Sequence, residues 1–430
     1  MDRFHVHNFG CRASQADGAA IQTALAHGGM SPASCSQDAQ LVVLNTCTVT
    51  AVADDEVRQT IRRVHRENPS AKILVTGCYA QRAPDELASL PGICWVVGNS
   101  HKTRIPEIIA GQNHVPFHGE VHVGDIFAQQ EFLASPVEDA AGDRTRPNLK
   151  IQDGCNNRCS FCIIPSVRGR SRSAPASAVI DQVRNLATHY REIVLSGINL
   201  GRWGREPGSG LRLPGLIRRL LDETGVERLR ISSVEPMDCS EDLLALMAES
   251  PRVAKHLHAP LQSGSDRVLR RMFRKYRPRH YEDRICKARA LMPDAAIGAD
   301  VMVGFPGETE QEFEESRQFI ESLPFTYLHV FTYSERPGTR AAAQADQVPK
   351  EIRKVRNREL RELAARKNIE FRSRMVGRKL SVVTLENGAL SDNFLKVELA
   401  ANRPVNSMID VEIGGLTQQG LRERSPFVVL

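Results

Sequence analysis

Apolar residues in this chain gather into runs of strand length, separated by longer stretches with helical spacing. Residues 3–9 alternate as a strand, residues 17–27 read as a helix, and Gly28-Gly29 stops it. Leu41-Val42-Val43-Leu44 is a short buried strand closed by Asn45-Thr46-Cys47. A helix over 51–65 ends before Pro69, and Ile73-Leu74-Val75 is a third strand, closed by Thr76-Gly77-Cys78. This alternation predicts an α/β fold: a doubly wound parallel sheet whose strand carboxyl ends share one edge and line a crevice. Residues 111–147 lose periodicity and gain Gly, Pro, Asp and Glu, the mark of a linker. A second series then begins, with strands expected at 149–152, 193–196, 229–232, 256–260, 299–303 and 328–332. Six strand–helix units predict a partial (β/α)6 barrel with its chemistry at the carboxyl ends of the strands. A long charged helix over 349–374 closes it. Short strands at 380–385, 394–399, 408–413 and 427–430, separated by Asn-Gly and Gly-Gly turns, predict a small C-terminal β-barrel. The boundaries expected are 1–125, a linker over 126–145, 146–374 and 375–430.

Cysteine placement changes the picture from fold to chemistry. Cys155, Cys159 and Cys162, spaced by three and then two residues, can turn inward from one short loop and hold three irons of a cube-shaped iron–sulfur cluster. The fourth iron stays open, and this spacing is the one associated with S-adenosylmethionine as the exogenous ligand. A structural zinc knot needs four closed ligands, and the next cysteine is Cys239. Cys11, Cys47 and Cys78 each fall just past a strand end, so a parallel sheet brings all three to one place, as a second three-thiolate cluster requires. Cys35, Cys94, Cys239 and Cys286 read as structural.

At 430 residues, two or three domains are expected. No apolar run approaches the roughly 20 residues that span a bilayer. The start of the chain leads straight into a strand pattern, so a cytoplasmic protein without membrane partners is expected. Ten cysteines in a reducing compartment favour metal binding over disulfides. The net charge of +6 is uneven: residues 1–140 carry 10 Lys/Arg against 15 Asp/Glu, and the rest 47 against 36. Residues 267–279 hold seven basic side chains and no acid. Arg270, Arg271, Arg274 and Lys275 are therefore candidates for salt-sensitive contacts to RNA phosphates.

The cysteine loop and its flanks, Ile151-Gln152-Asp153-Gly154 before it and Ile163-Ile164-Pro165 with Arg168-Gly169-Arg170 after it, resemble the methylthiotransferases of the radical S-adenosylmethionine superfamily. So do Gly10-Cys11-Arg12, Asn45-Thr46-Cys47 and Thr76-Gly77-Cys78. The resemblance implies an enzyme with two [4Fe-4S] clusters: a catalytic one on Cys155, Cys159 and Cys162, and an auxiliary one on Cys11, Cys47 and Cys78. It implies S-adenosylmethionine held near Ser196, Gly197 and Asn199, with Ser233, Glu235, Gln262 and Gly304 at the following strand ends and Phe161 against adenine. Its expected partners are tRNA, an electron donor such as flavodoxin or ferredoxin, and a sulfur donor. Ser391-Asp392-Asn393-Phe394 resembles the RNA-binding TRAM barrel that ends these enzymes. Gly10-Cys11-Arg12-Ala13-Ser14-Gln15 and Ser196-Gly197-Ile198-Asn199 look like the branch that acts on threonylcarbamoyladenosine beside the anticodon. Sibling branches act on isopentenyladenosine in tRNA or on an aspartate of a ribosomal protein. A cluster-bearing RNA-binding or redox-sensing protein without turnover is the alternative of another class.

Overall fold

The computed structural model describes residues 2–111, 119–129, 132 and 145–425. The N-terminal part is a six-stranded sheet, all parallel, ordered Ser31–Pro32, Arg3–Asn8, Leu41–Thr46, Lys72–Gly77, Ile93–Gly98, Glu120–His122. The central strand Leu41–Thr46 is buried at every residue because helices cover both faces of the sheet, which explains its unbroken apolar run. Glu120–His122 lies inside the stretch expected as linker, and pairing against Ile93–Gly98 is what makes a strand of three residues with no periodicity of their own. The first helix begins earlier than its apolar pattern suggests, running Arg12–His27 with Cys11 as its N-cap. Gly10 makes this possible: at φ +87° it turns the chain straight out of the strand, and a Cβ there would sit 2.4 Å from Cys47 Cβ.

Six parallel strands form the second unit: Asn148–Asp153, Glu192–Gly197, Arg228–Ile231, His256–His258, Ala296–Val303 and Tyr327–Thr332. Hydrogen bonding breaks between the third and fourth, where an isolated Leu229–Val253 bridge continues the curve. Leu149, Ile151, Ile193, Leu195, Leu229 and Ile297 face the outer helices and make the core. By the two-residue period, Lys150, Glu192, Arg230, His256, His258, Asp300, Tyr327 and His329 face the concave side. The helix Lys350–Ser373 follows. The C-terminal unit is a closed five-stranded barrel of Lys379–Leu385, Gly388–Ser391, Lys396–Glu398, Leu421–Glu423 and Met408–Leu416. Its last described strand is Leu421–Glu423; the strand expected at 427–430 lies outside the described residues. Among the described residues, no helix is long and apolar enough to cross a membrane.

Buried charge joins the units. Asp17, on the first helix, is 1% exposed and binds Lys102 at 2.9 Å, Arg168 at 3.0 Å and Lys150, which also meets Asp153 at 2.9 Å. Three cations hold the Asp17 carboxyl well below the usual carboxylate range, against the opposing pull of burial. At the other junction, Glu192 accepts from Arg230 at 2.7 Å and Arg146 at 3.0 Å, while Arg230 also donates to the carbonyls of Ser391 and Asp392 in the small barrel.

Candidate functional site

The cysteine loop leaves the carboxyl end of Asn148–Asp153. The Cys155 N–H donates to Gly169 O and the Cys162 N–H to Cys159 O, each at 3.1 Å, which closes the loop on itself. N–H donors also meet the sulfurs. Asn157 N lies 3.4 Å and Asn199 Nδ2 3.7 Å from Cys155 Sγ, and Arg274 Nη1 lies 3.2 Å from Cys159 Sγ. Burial, and then the neighbouring Cys159 and Cys155 sulfurs, push the Cys162 thiol up to about 12. Half-buried thiols crowded together while drawing N–H donors fit a polynuclear cation, whose charge offsets the cost of ionising them.

A second convergence lies across one short helix. Cys47 and Cys78 follow directly on strands of the N-terminal sheet, and Cys11 follows Arg3–Asn8 after Phe9 and Gly10. Gly77, at φ +99°, plays for Cys78 the part of Gly10 for Cys11. Burial, and then the Cys78 sulfur with Cys11 behind it, push the Cys47 thiol up to about 12. Asn99 Nδ2 reaches Cys78 Sγ at 3.6 Å, and Cys11 Sγ lies 3.7 Å from Ser14 Oγ. Cys78 packs on Ile163 and Val167, directly after Cys162, so the helix Ile164–Arg168 is the wall between the two thiol sets. Arg168 at its end is fully buried and draws on Cys78 and Cys11 as well as Asp153 and Asp17. This donor set too fits a cluster held by three thiolates. Cys94 is buried in the sheet core, Cys239 in the barrel core, and all ten cysteines are free.

The strand-end residues divide into two groups. Asn199 and Glu235 are tied to the cysteine loop: Asn199 through Cys155, Glu235 through its 2.6 Å bond from Arg274. Asn199 Oδ1 is buried without a protein partner, as an atom awaiting a ligand donor is. Ser196 Oγ donates to Leu149 O at 3.4 Å, and Gly197 backs onto Gln152. Ser233 Oγ lies 2.7 Å from His258 Nδ1, Gln262 at φ 67° is pinned to Asp300 O, and Gly304 N donates to Glu308. Phe161 is half-buried against Val268, Met272 and Phe305.

The basic run is corrected by its partners. Arg274 is 7% exposed and spends its guanidinium on Cys159 and Glu235, so it cannot also hold a phosphate. Arg271 forms a 2.7 Å pair with the buried Glu312. Arg270 is exposed and pairs with Asp266 at 2.8 Å; Lys275 is exposed. The acids that the run lacks come from Asp266 just before it and from Glu235 and Glu312, distant in sequence.

Two features escaped sequence reading. Arg274 stands in a run that reads as surface cations, and only its Arg-Lys-Tyr context with the buried Tyr276 hints otherwise. His258, Asp300 and His329 stand together on three adjacent strands of the concave face, Asp300 at 3.4 Å from His258 and 3.2 Å from His329. Polar residues alternating with apolar ones on a parallel strand were the available signal.

Comparison with known proteins gives the family. Residues 3–98 match the family described as "Uncharacterized protein family UPF0004", and residues 149–320 match the radical SAM superfamily. The chain is 36% identical over 406 residues to the threonylcarbamoyladenosine tRNA methylthiotransferase MtaB of Aquifex aeolicus, covering 94% of this chain and 98% of that one. The chain belongs to the radical S-adenosylmethionine methylthiotransferase family. It is also 39% identical to MtaB of Bacillus subtilis, over 88% of this chain and 84% of that one. To the tRNA-2-methylthio-N(6)-dimethylallyladenosine synthase of Erythrobacter litoralis it is 34% identical, over 98% and 95%. A methylthiotransferase of this superfamily takes S-adenosylmethionine and a [4Fe-4S] cluster. In fold, the chain resembles the radical S-adenosylmethionine methyltransferase TsrM from Kitasatospora setae, with a TM-score of 0.56 at 15% identity over 80% of this chain and 77% of that one.

Proposed function

We propose that this enzyme replaces the C2 hydrogen of threonylcarbamoyladenosine, beside the anticodon of tRNA, with a methylthio group. The observation that supports it most directly is the pair of three-cysteine sets on either side of the helix Ile164–Arg168. When bound, the first cluster with S-adenosylmethionine supplies a carbon radical able to attack an aromatic C–H, and the second supplies sulfur. The chain's own residues position and exclude. Arg274 and Asn199 hold the sulfurs of Cys159 and Cys155 in place through N–H donors, and Asn199 and Glu235 offer polar atoms at the strand ends to the amino-acid part of S-adenosylmethionine. Arg168 and Ser14 fix the N-terminal cysteines against the barrel, with Arg168 Nη2 3.2 Å from Ser14 Oγ. Phe161 gives a half-buried aromatic face suited to adenine. Lys275 and Arg270, with the small barrel, are assigned to the tRNA backbone; a flavodoxin- or ferredoxin-like reductant and a sulfur donor complete the system in a cytoplasmic setting.

Nucleoside mass spectrometry of tRNA from a deletion strain tests the reading. The methylthio form of threonylcarbamoyladenosine should vanish and return with the native gene. Loss of methylthio-isopentenyladenosine instead would assign the chain to the branch of its Erythrobacter relative, and no change in tRNA would remove the reading. Anaerobically reconstituted protein should hold about eight irons as two cubes. Replacing Cys11, Cys47 and Cys78 with Ala should leave about four, with cleavage of S-adenosylmethionine retained; a triple variant that keeps its full iron would place the second cluster elsewhere.

A further inference from the structure

Where the N-terminal helix, the concave face of the large barrel and the small barrel meet, there is a cavity of about 500 Å³. Arg12, Arg146 and Lys396 contribute cationic walls, Val194 and Phe394 apolar ones, and Glu386 is the acid in the lining. Arg146 is engaged by Glu192 at 3.0 Å, but the guanidinium of Arg12 has no ion pair or hydrogen bond among the described residues. It is half-buried and shares the cavity wall with Arg146 and Lys396. An arginine held in that way costs folding energy unless an anion joins it. Arg12 follows immediately on Cys11, so its backbone is carried by the same turn as the first of the N-terminal thiols.

We infer that this cavity is an oxyanion subsite for the carboxylate of the N6-threonylcarbamoyl group, with Arg12 as its principal donor and Lys396 on its rim. The inference rests on the function proposed above and adds how the modified base is told from a plain one. A guanidinium presents a planar fork that matches a carboxylate in two hydrogen bonds. The apolar wall at Val194 and Phe394 suits the short aliphatic part of a threonyl group, which a backbone phosphate lacks. A neutral isopentenyl substituent would leave the guanidinium without its partner, so the same pocket would select against it.

The same oxyanion chemistry is offered by tRNA phosphates, and binding separates the two sources. Anticodon stem-loop RNA carrying threonylcarbamoyladenosine is compared with the same RNA carrying plain adenosine, on the full-length, cluster-loaded protein, by fluorescence anisotropy. The native chain should bind the modified RNA about tenfold more tightly, the worth of one charge-assisted pair. Arg12→Gln should bind both RNAs alike, with affinity for the plain one unchanged, iron content retained and a melting temperature no lower than the native chain's. Lys396→Gln, at an exposed position, should lose part of the preference. Equal weakening of both RNAs by Arg12→Gln would assign Arg12 to phosphate and overturn the inference, as would a native chain with no preference. The nucleoside masses of the deletion strain report on the proposed function independently, so either can fail alone.

Discussion

Arg274 shows how one side chain moves between roles when its surroundings become visible. In the sequence it is one of seven cations in a run; in the fold it bridges the Cys159 sulfur and Glu235 from a buried position. An N–H donor on a ligand sulfur stabilises the more negative, reduced cluster. Arg274→Gln should therefore lower the reduction potential of the catalytic cluster and slow cleavage of S-adenosylmethionine about tenfold, as expected for a residue behind the ligands. Redox titration followed by electron paramagnetic resonance checks the potential, and iron analysis checks that the cluster remains. An unchanged potential would make Arg274 a packing residue only. The convergence of the six cysteines into two sets of three was legible because spacing, or a strand end, fixes where each thiol falls. Arg274 was not, because its role depends on Glu235, 39 residues away in sequence.

At the level of elements, the strand Glu192–Gly197 carries the charge that fastens the small barrel to the large one. Glu192 is fully buried, and despite the opposing pull of burial Arg230, Arg146 and Arg228 hold its carboxyl down to about 2. Arg228 is itself lowered by burial, so the net gain rests mainly on Arg230, whose guanidinium also caps two small-barrel carbonyls. A depressed carboxyl contributes stability above its ordinary pKa and loses it as pH falls towards the folded value. The native chain should thus exceed Glu192→Gln in stability by on the order of 3 kcal/mol at neutral pH. The gap should close between about pH 4.5 and pH 2, as read from melting temperatures across that range. A gap independent of pH would mean that shape, not charge, is what the substitution disturbs. Strands and long helices were legible from their periods. The three-residue strand Glu120–His122 and the strand Gly388–Ser391 were not, since edge pairing and barrel closure, rather than pattern, create them.

Over the whole molecule, the order of an open parallel sheet, a partial barrel and a small closed barrel could be read from where periodicity changes. Which charges face outward could not, because buried acids from other segments claim them. That alters the salt dependence expected of tRNA binding. With Arg271 and Arg274 occupied, changing Arg270 and Lys275 to Gln should lower the slope of log affinity against log salt by about two units at most. Changing Arg271 as well should destabilise the protein without a further change in slope. Affinity measured at several salt concentrations decides this; an unchanged slope would move the phosphate contacts to the small barrel or the N-terminal sheet.

Asp17 and its three cations tie the N-terminal helix to the first barrel strand and to the helix between the two thiol sets. A hinge at that junction would have to pull buried charges apart, each step exposing an unpaired ion to a low-dielectric surface. The gap between the two thiol sets is therefore a fixed gauge, which on the proposed function leaves the nucleotide as the part that moves. Turnover should then follow how fast the base swings out of the anticodon loop and back, so that substitutions in the RNA that loosen loop stacking speed the enzyme more than any change made at the domain junction.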